Sequence, residues 1–331
     1  MTANWKARPE GGGWFAIWLI RSIGRYGGRG VARLLLYPIT LYFLCRRGPE
    51  RRASRAYLSR ALGRPATLWD VARHIHTFAS TILDRVFLLG ERLKRFRVEV
   101  HGVEALHGQI DRGHGVLLFG SHLGSFEVLR VLARERPDVQ LRVVYDLHHN
   151  PAMTQLLNAL NPEVAATAID AGQPGPSLML AIQAAVAQGA LVALLVDRVP
   201  PGEPYELVDF LGAPAPLPTA PWLIAAVLGV PVVLAFGLYR GGNRYELHFE
   251  TFTDGLRVAR SERKAVLAAL IRGYAARLEH FARSAPYNWF NFYDFWALDD
   301  GDPSSRSRPA AHGGAAADAG AGDALARRPT A

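Results

Sequence analysis

Residues 120–127 read Gly-Ser-His-Leu-Gly-Ser-Phe-Glu, and they carry the strongest chemical signal in the chain. The apolar run just before them, GVLLFG at 115–120, is bounded by glycines and suits a buried strand. It leads into a glycine-flanked turn that presents His122. A helical pattern follows and carries Glu127 five residues on. The layout is that of a nucleophile elbow, with histidine where hydrolases place serine and with Ser121 and Ser125 to either side. An imidazole titrates near neutral pH, so neutral His122 can take a proton from an attacking hydroxyl. Glu127 can accept a hydrogen bond from the other ring nitrogen, fixing the tautomer and stabilising the imidazolium as it forms. The substrate's own hydroxyl is then the nucleophile, and no covalent enzyme intermediate is required. The plainer alternative makes His122 a cap of the following helix and Glu127 a solvated surface acid.

The elements that must position this turn follow from periodicity. Helical spacing covers residues 53–62 and 68–96, the latter with Val71, Ile75, Phe78, Ile82, Val86 and Leu89 three and four apart. Thr67 suits its N-cap, with Asp70 three residues on. Short apolar runs predict strands at 98–101, 115–120, 141–145, 190–196 (ending at Asp197) and 230–236, while 245–251 alternates like an outer strand. Helices are expected at 126–134, 177–188, 220–228 and 261–282. Strands alternating with helices imply an α/β fold, a largely parallel sheet flanked by helices. In such sheets chemistry collects beyond the carboxyl ends of the strands.

The charge is unevenly placed. The 331 residues hold 38 Lys+Arg against 29 Asp+Glu, a formal charge of +9. Residues 1–60 alone contain twelve basic side chains and two acids, so the remainder is close to neutral. A basic stretch this rich in Trp, Tyr and Leu points to an anionic membrane surface rather than to nucleic acid. Its two apolar segments, 14–20 and 34–45, are each shorter than the roughly 20 residues of a spanning helix. An interfacial segment, with arginines meeting lipid phosphate, is the favoured reading. A helix packed on the protein's own core and a single span over 31–45 remain as alternatives. A cleaved signal peptide is not expected, since Arg46 and Arg47 follow the apolar run where small residues are needed. The division is therefore a basic apolar arm at 1–48, a body at 49–298 and a disordered Ala/Gly/Pro/Ser-rich tail at 299–331.

Several classes drop out. The single cysteine, Cys45, excludes an internal disulfide and any multi-thiolate zinc site, and it reads as a small hydrophobe, buried or lipid-facing. There is no P-loop and no G-x-G-x-x-G, and the adjacent His148 and His149 cannot share a helix face as H-E-x-x-H ligands do. No metal and no resident cofactor are expected, a mononuclear site of His122 with His148 or His149 being the metal alternative.

At this point the residues resemble a family. His122 and Glu127 match the H-x4-D/E motif of the glycerolipid acyltransferase superfamily, and GSHLGSFE is similar to the version in bacterial lipid A late acyltransferases, the lauroyl- and myristoyl-transferases. His149-Asn150-Pro151 resembles the second block, Asp197-Arg198 the third, and residues 209–215 (DFLGAPA) the Phe-Phe-Gly-x-Pro-Ala segment. The likeness covers roughly residues 14–298. It departs at Arg198, where the family usually has Gln, and at residues 287–296 (YNWFNFYDFW), an aromatic ending similar to a branch associated with aryl-polyene or xanthomonadin-type pigments.

The resemblance implies an O-acyltransferase at the cytoplasmic face of the inner membrane. An acyl group on acyl carrier protein or coenzyme A, as co-substrate, would pass to a hydroxyl of a lipid or glycolipid. The residues support that chemistry on their own terms. Acyl transfer from a thioester needs a base, an oxyanion partner and a dry groove. Arg198, or the backbone amides at Gly124–Ser125, could serve the oxyanion, while Arg198 could equally be a surface partner of Asp197. Asn150 could bind the acceptor or shape the turn before Pro151. Ser125, Asn150, Asp197 and Arg198 are thus the candidate substrate-binding positions beside His122 and Glu127. The 209–219 segment, with its three prolines, reads as a structural loop forming one wall of the groove. The rival readings are a catalytically silent lipid-binding or assembly protein, and a thioesterase or lipid hydrolase.

Overall fold

A computed structural model of the protein describes residues 28–89, 95–113, 115–136, 138–147 and 151–297. The first half of the arm, Asn150 with its two preceding histidines, and the tail lie outside the described residues. Among the described residues three helices come first: α1 (Gly28–Arg46), α2 (Gly48–Leu62) and α3 (Leu68–Leu89). The sheet strands are β1 (Arg97–His101), β2 (Val116–Gly120), β3 (Leu141–Tyr145), β4 (Ile169–Asp170) and β5 (Leu191–Leu195). A hairpin, β6 (Tyr205–Phe210) and β7 (Ala213–Pro218), precedes the last two, β8 (Val232–Tyr239) and β9 (Arg244–Thr253). The remaining α-helices of the described residues are α4 (Val103–Asp111), α5 (Arg130–Glu135), α6 (Pro151–Leu160), α7 (Pro162–Thr167), α8 (Gly175–Ala187), α9 (Ala220–Leu228) and α10 (Arg263–Ser284).

Seven strands form one sheet in the order β1-β9-β8-β2-β5-β3-β4. Every pair is parallel except β8 with β9. The central strands are buried on both faces: all five residues of β2 and all eight of β8 are buried. This is why they read as unbroken apolar runs rather than as alternating ones. One core on the α10 side gathers Phe119, Trp222, Phe236, Tyr274 and Trp289, and the other gathers Leu118, Leu129, Leu132 and Val233 against α3. The alternating strand β9 is not outermost, because β1 pairs with it in parallel and takes the edge.

The N-terminal helices are part of the body. Leu68 opens α3 behind a reciprocal cap: the Asp70 N–H donates to Thr67 Oγ1 (3.2 Å), and the Thr67 N–H to Asp70 Oδ2 (2.8 Å). Helix α1 packs along α3 through Ala32, Leu36 and Thr40, spaced by four. Two of its arginines point inward instead of meeting lipid phosphate. Arg29 makes a two-pronged contact with buried Asp84 (2.7 and 2.8 Å), and Arg33 donates to the Tyr239 hydroxyl (2.9 Å). Arg46, Arg52 and Arg55 remain exposed, as does Cys45. Opposite the packed stripe, Val31, Leu34, Tyr37, Leu41 and Tyr42 are more than half exposed. Among the described residues no helix is long and apolar enough to cross a membrane.

The proline-rich 209–219 segment is a β-hairpin rather than a loop. Leu211 and Gly212 both take positive φ (52° and 77°), the combination a two-residue turn with the right twist requires. Pro214, Pro216 and Pro218 lie opposite Asp209, Leu207 and Tyr205. The strand period of two keeps all three ring nitrogens on the side away from β6, so no ladder donor is lost.

Candidate active site

The pairing register places the two central residues. Strands β2 and β5 are parallel neighbours with Gly120 opposite Leu195. His122 and Asp197 each lie two residues beyond those paired ends, so they emerge side by side at the carboxyl edge of the sheet. The contact is double. His122 Nδ1 lies 2.8 Å from Asp197 Oδ1, and the main-chain N–H of His122 donates to Oδ2 (3.0 Å). A carboxylate with two acceptor oxygens only accepts, so Nδ1 carries the proton and Nε2 is the basic nitrogen. No described residue takes Nε2. The side chain of His122 keeps 32 % of its surface open, whereas that of Asp197 is fully buried.

The segment after α10 completes the setting. Trp289 donates its indole N–H to Asp197 Oδ2 (2.9 Å). Phe290 N donates to His122 O and Gly124 N to Asn288 O, both at 2.8 Å, so the segment pairs with the histidine turn. Trp289 is in turn fixed from the helices. His74 of α3 is fully buried, its Nε2 2.9 Å from the Trp289 carbonyl and its Nδ1 2.8 Å from Ser54 Oγ of α2. Since a carbonyl only accepts, His74 donates from Nε2 and accepts the serine hydroxyl at Nδ1. Tyr57, Phe210 and Phe295 meet the Trp289 ring edge-on at 4.8–5.2 Å.

Close backbone approach explains two glycines. Gly124 has φ of 69°, and a side chain there would strike the Gly237 carbonyl; one at Gly237 would strike Ser125 O. Ser125 N donates to Gly237 O at 2.8 Å. The amides of Gly124 and Ser125 are therefore already bonded to carbonyls, and they are not the oxyanion donors that their place in the turn suggested.

Glu127 sits elsewhere than the sequence implied. Its buried carboxylate pairs with Arg85 Nε of α3 (2.6 Å) and accepts from Ser125 Oγ (3.0 Å), while the imidazole turns to Asp197. The reason is directional. The strand register brings Asp197 to the ring directly, and the tight 3-10 turn over Phe126–Leu129 holds Glu127 toward α3. Ser125 thus serves the glutamate. Arg198 donates to Phe290 O (2.7 Å) and lies over the Tyr293 ring.

The electrostatics suit a base. Burial lowers the His122 pKa from its ordinary 6.5, the Arg198 and Arg85 charges lower it further, and Asp197 opposes them. Burial works to raise the Asp197 carboxyl. The facing imidazole, Arg198 and the Trp289 N–H outweigh it and hold the value down at about 2. At neutral pH the pair is therefore a neutral imidazole on a carboxylate. Arg85 and Trp289 belong to this site without having been singled out: Arg85 is one cation on a long amphipathic helix, and Trp289 is one aromatic among many.

The family model for bacterial lipid A biosynthesis acyltransferases matches residues 72–297. The chain belongs to that family. It is accordingly an acyltransferase of lipid A biosynthesis type, and the match, from within α3 through the Trp289 segment, encloses Arg85, His122, Glu127, Asp197 and Trp289. A search of curated proteins finds no match. Within residues 122–127, this acyltransferase gives the imidazole's hydrogen bond to the carboxylate after β5 and the Glu127 ion pair to Arg85.

Proposed function

We propose that the protein moves a fatty acyl chain from a thioester, on acyl carrier protein or coenzyme A, to a hydroxyl of a lipid or glycolipid at the cytoplasmic face of the inner membrane. The observation that carries the reading is the 2.8 Å contact between His122 Nδ1 and Asp197 Oδ1, which leaves Nε2 basic on the accessible side of the ring. Nε2 takes the acceptor's hydroxyl proton as the oxygen attacks the thioester carbonyl. Asp197 steadies the imidazolium without itself taking the proton. Arg198, whose charge acts on His122, is the candidate donor to the tetrahedral oxyanion. When the intermediate collapses the C–S bond breaks, and the imidazolium returns its proton to the departing thiolate. Buried Glu127 and partly exposed Arg85 act as a strut that fixes the turn and adds positive charge near the ring. Asn150 remains the proposed contact of the acceptor.

The membrane side of the proposal rests on α1. Leu34, Tyr37, Leu41 and Tyr42 form an exposed apolar stripe, Leu68 and Trp69 at the start of α3 add to the exposed apolar surface, and Arg46, Arg52 and Arg55 supply positive charge. Incubating the purified protein with labelled acyl donors and total membrane lipid tests the whole reading. An acyltransferase yields a new acylated lipid. Free fatty acid alone marks a hydrolase, and no product from any donor marks a binder.

A further inference from the structure

The outer edge of the sheet holds a second cluster of titratable side chains with no part in acyl transfer. In the parallel pairing of β1 with β9, Glu99 lies opposite Glu246 and His101 opposite His248. Residues two apart share a face, so the four form a square of two imidazoles above two carboxylates. The two rings stack, centroids 4.6 Å apart and planes 16° from parallel. Each has a carboxylate beside its Nε2: Glu99 Oε1 at 3.5 Å from His101, and Glu246 Oε2 at 3.3 Å from His248. One ligand atom from each of His101, Glu246 and His248 falls within 4.8 Å of the others.

We propose that His101, Glu246 and His248 bind a divalent transition-metal ion of the zinc class, with Glu99 or water as the fourth ligand. Two imidazoles and one carboxylate are a common zinc donor set, and two nitrogens in three disfavour calcium and magnesium. Tetrahedral zinc with ligands at about 2.1 Å sets its donors about 3.4 Å apart, so side-chain rotation closes the site without moving either strand. Other groups bear on it. Arg240 pairs with Glu246 at 2.7 Å, which orients the carboxylate and opposes the incoming charge. The Phe281 ring of α10 lies against His248 at 5.2 Å and walls one side, with Arg277 over that ring but paired to Glu250. A metal here joins the edge strand β1, which has a single strand partner, to the sheet.

The test uses full-length protein with any affinity tag removed, stripped with chelator and titrated with zinc against a chromophoric competitor. The expected result is one equivalent bound, weakened at least about tenfold by His101→Gln and by His248→Gln separately. His280→Ala, which removes an exposed histidine outside the square, should bind as wild type does. Cobalt should give the visible absorption of a tetrahedral site in wild type and lose it in the double glutamine variant. No stoichiometric binding, or equal affinity in wild type and in both glutamine variants, overturns the proposal. None of these readouts depends on acyl transfer.

Discussion

The indole N–H of Trp289 and the main-chain N–H of His122 donate to the same carboxylate oxygen, Oδ2 of Asp197, at 2.9 and 3.0 Å. The other oxygen is thereby left to the imidazole. One buried carboxylate is thus held by two fixed donors and aims its remaining oxygen at the ring, so its direction does not depend on solvent. In the proposed mechanism Trp289 acts through Asp197, as a positioning residue. Trp289→Phe should lower kcat about tenfold, the worth of one hydrogen bond to a charged group, with a smaller change in KM. A melting curve for the same variant separates this loss from the packing defect. If kcat holds while Tm falls, Trp289 is only core.

The two carboxylates of the site should respond unequally. Asp197→Asn keeps the shape but offers an amide where an acceptor is needed, which favours the wrong tautomer; a loss of about 10²–10⁴ in kcat is expected. Glu127→Gln breaks an ion pair and leaves Arg85 uncompensated, so its cost should be smaller and partly in stability. Steady-state kinetics of the two variants side by side decide the order. A larger kcat defect in Glu127→Gln would return the orienting role to the motif glutamate.

The rate should rise with pH as His122 loses its proton. Burial and the Arg198 and Arg85 charges lower the His122 pKa from 6.5, so the midpoint of the acid limb of kcat/KM belongs below that value. Glu127→Gln removes a negative charge beside Arg85 and should shift the limb further down. A limb centred above 6.5 would contradict the assignment.

The fold was legible in the sequence wherever burial leaves a one-dimensional trace. GVLLFG and ALVALLV announced β2 and β5 because strands covered on both faces need apolar residues at every position, and Thr67 with Asp70 announced the start of α3. His122 and Asp197 were both visible as polar residues at the ends of such strands. Their partnership was not, because it depends on the register between β2 and β5, and sequence separation says nothing about register. Glu127 drew the eye by nearness in sequence, whereas Arg85 and Trp289 reach the site from distant elements. The hairpin of β6 and β7 was hidden by prolines whose harmlessness is apparent only once the paired edge is known.

Acid should loosen the joint between the helices and the Trp289 segment. Burial lowers the His74 pKa to about 4, its bond to the Trp289 carbonyl opposing only in part. The folded value lies below the unfolded 6.5, so this histidine's contribution is complete above pH 6.5. It is lost as pH falls from 6.5 through 4, by up to about 3 kcal/mol. His74→Gln can still donate to the Trp289 carbonyl but does not titrate. Denaturant melts from pH 7 to pH 4 should fall less steeply for this variant than for wild type; parallel curves would remove His74 from the account.

Membrane attachment should depend on the face of α1 rather than on its presence. Deleting residues 1–48 takes Arg29 from buried Asp84 and uncovers α3, so it should destabilise the body as well as release it. Leu34→Ser with Leu41→Ser alters only exposed positions, for which stability changes of about 0.5 kcal/mol or less are usual. Sedimentation with anionic vesicles should fall several-fold for this pair at unchanged Tm. Equal sedimentation would place the anchor elsewhere.

The central claim is that His122 is the base of acyl transfer, and His122→Ala tests it most directly. The measurement is the initial rate at which purified, folded variant moves label from an acyl thioester into membrane lipid, relative to wild type. A fall of about 10²–10⁴-fold is predicted. Retention of most of the wild-type rate would contradict it.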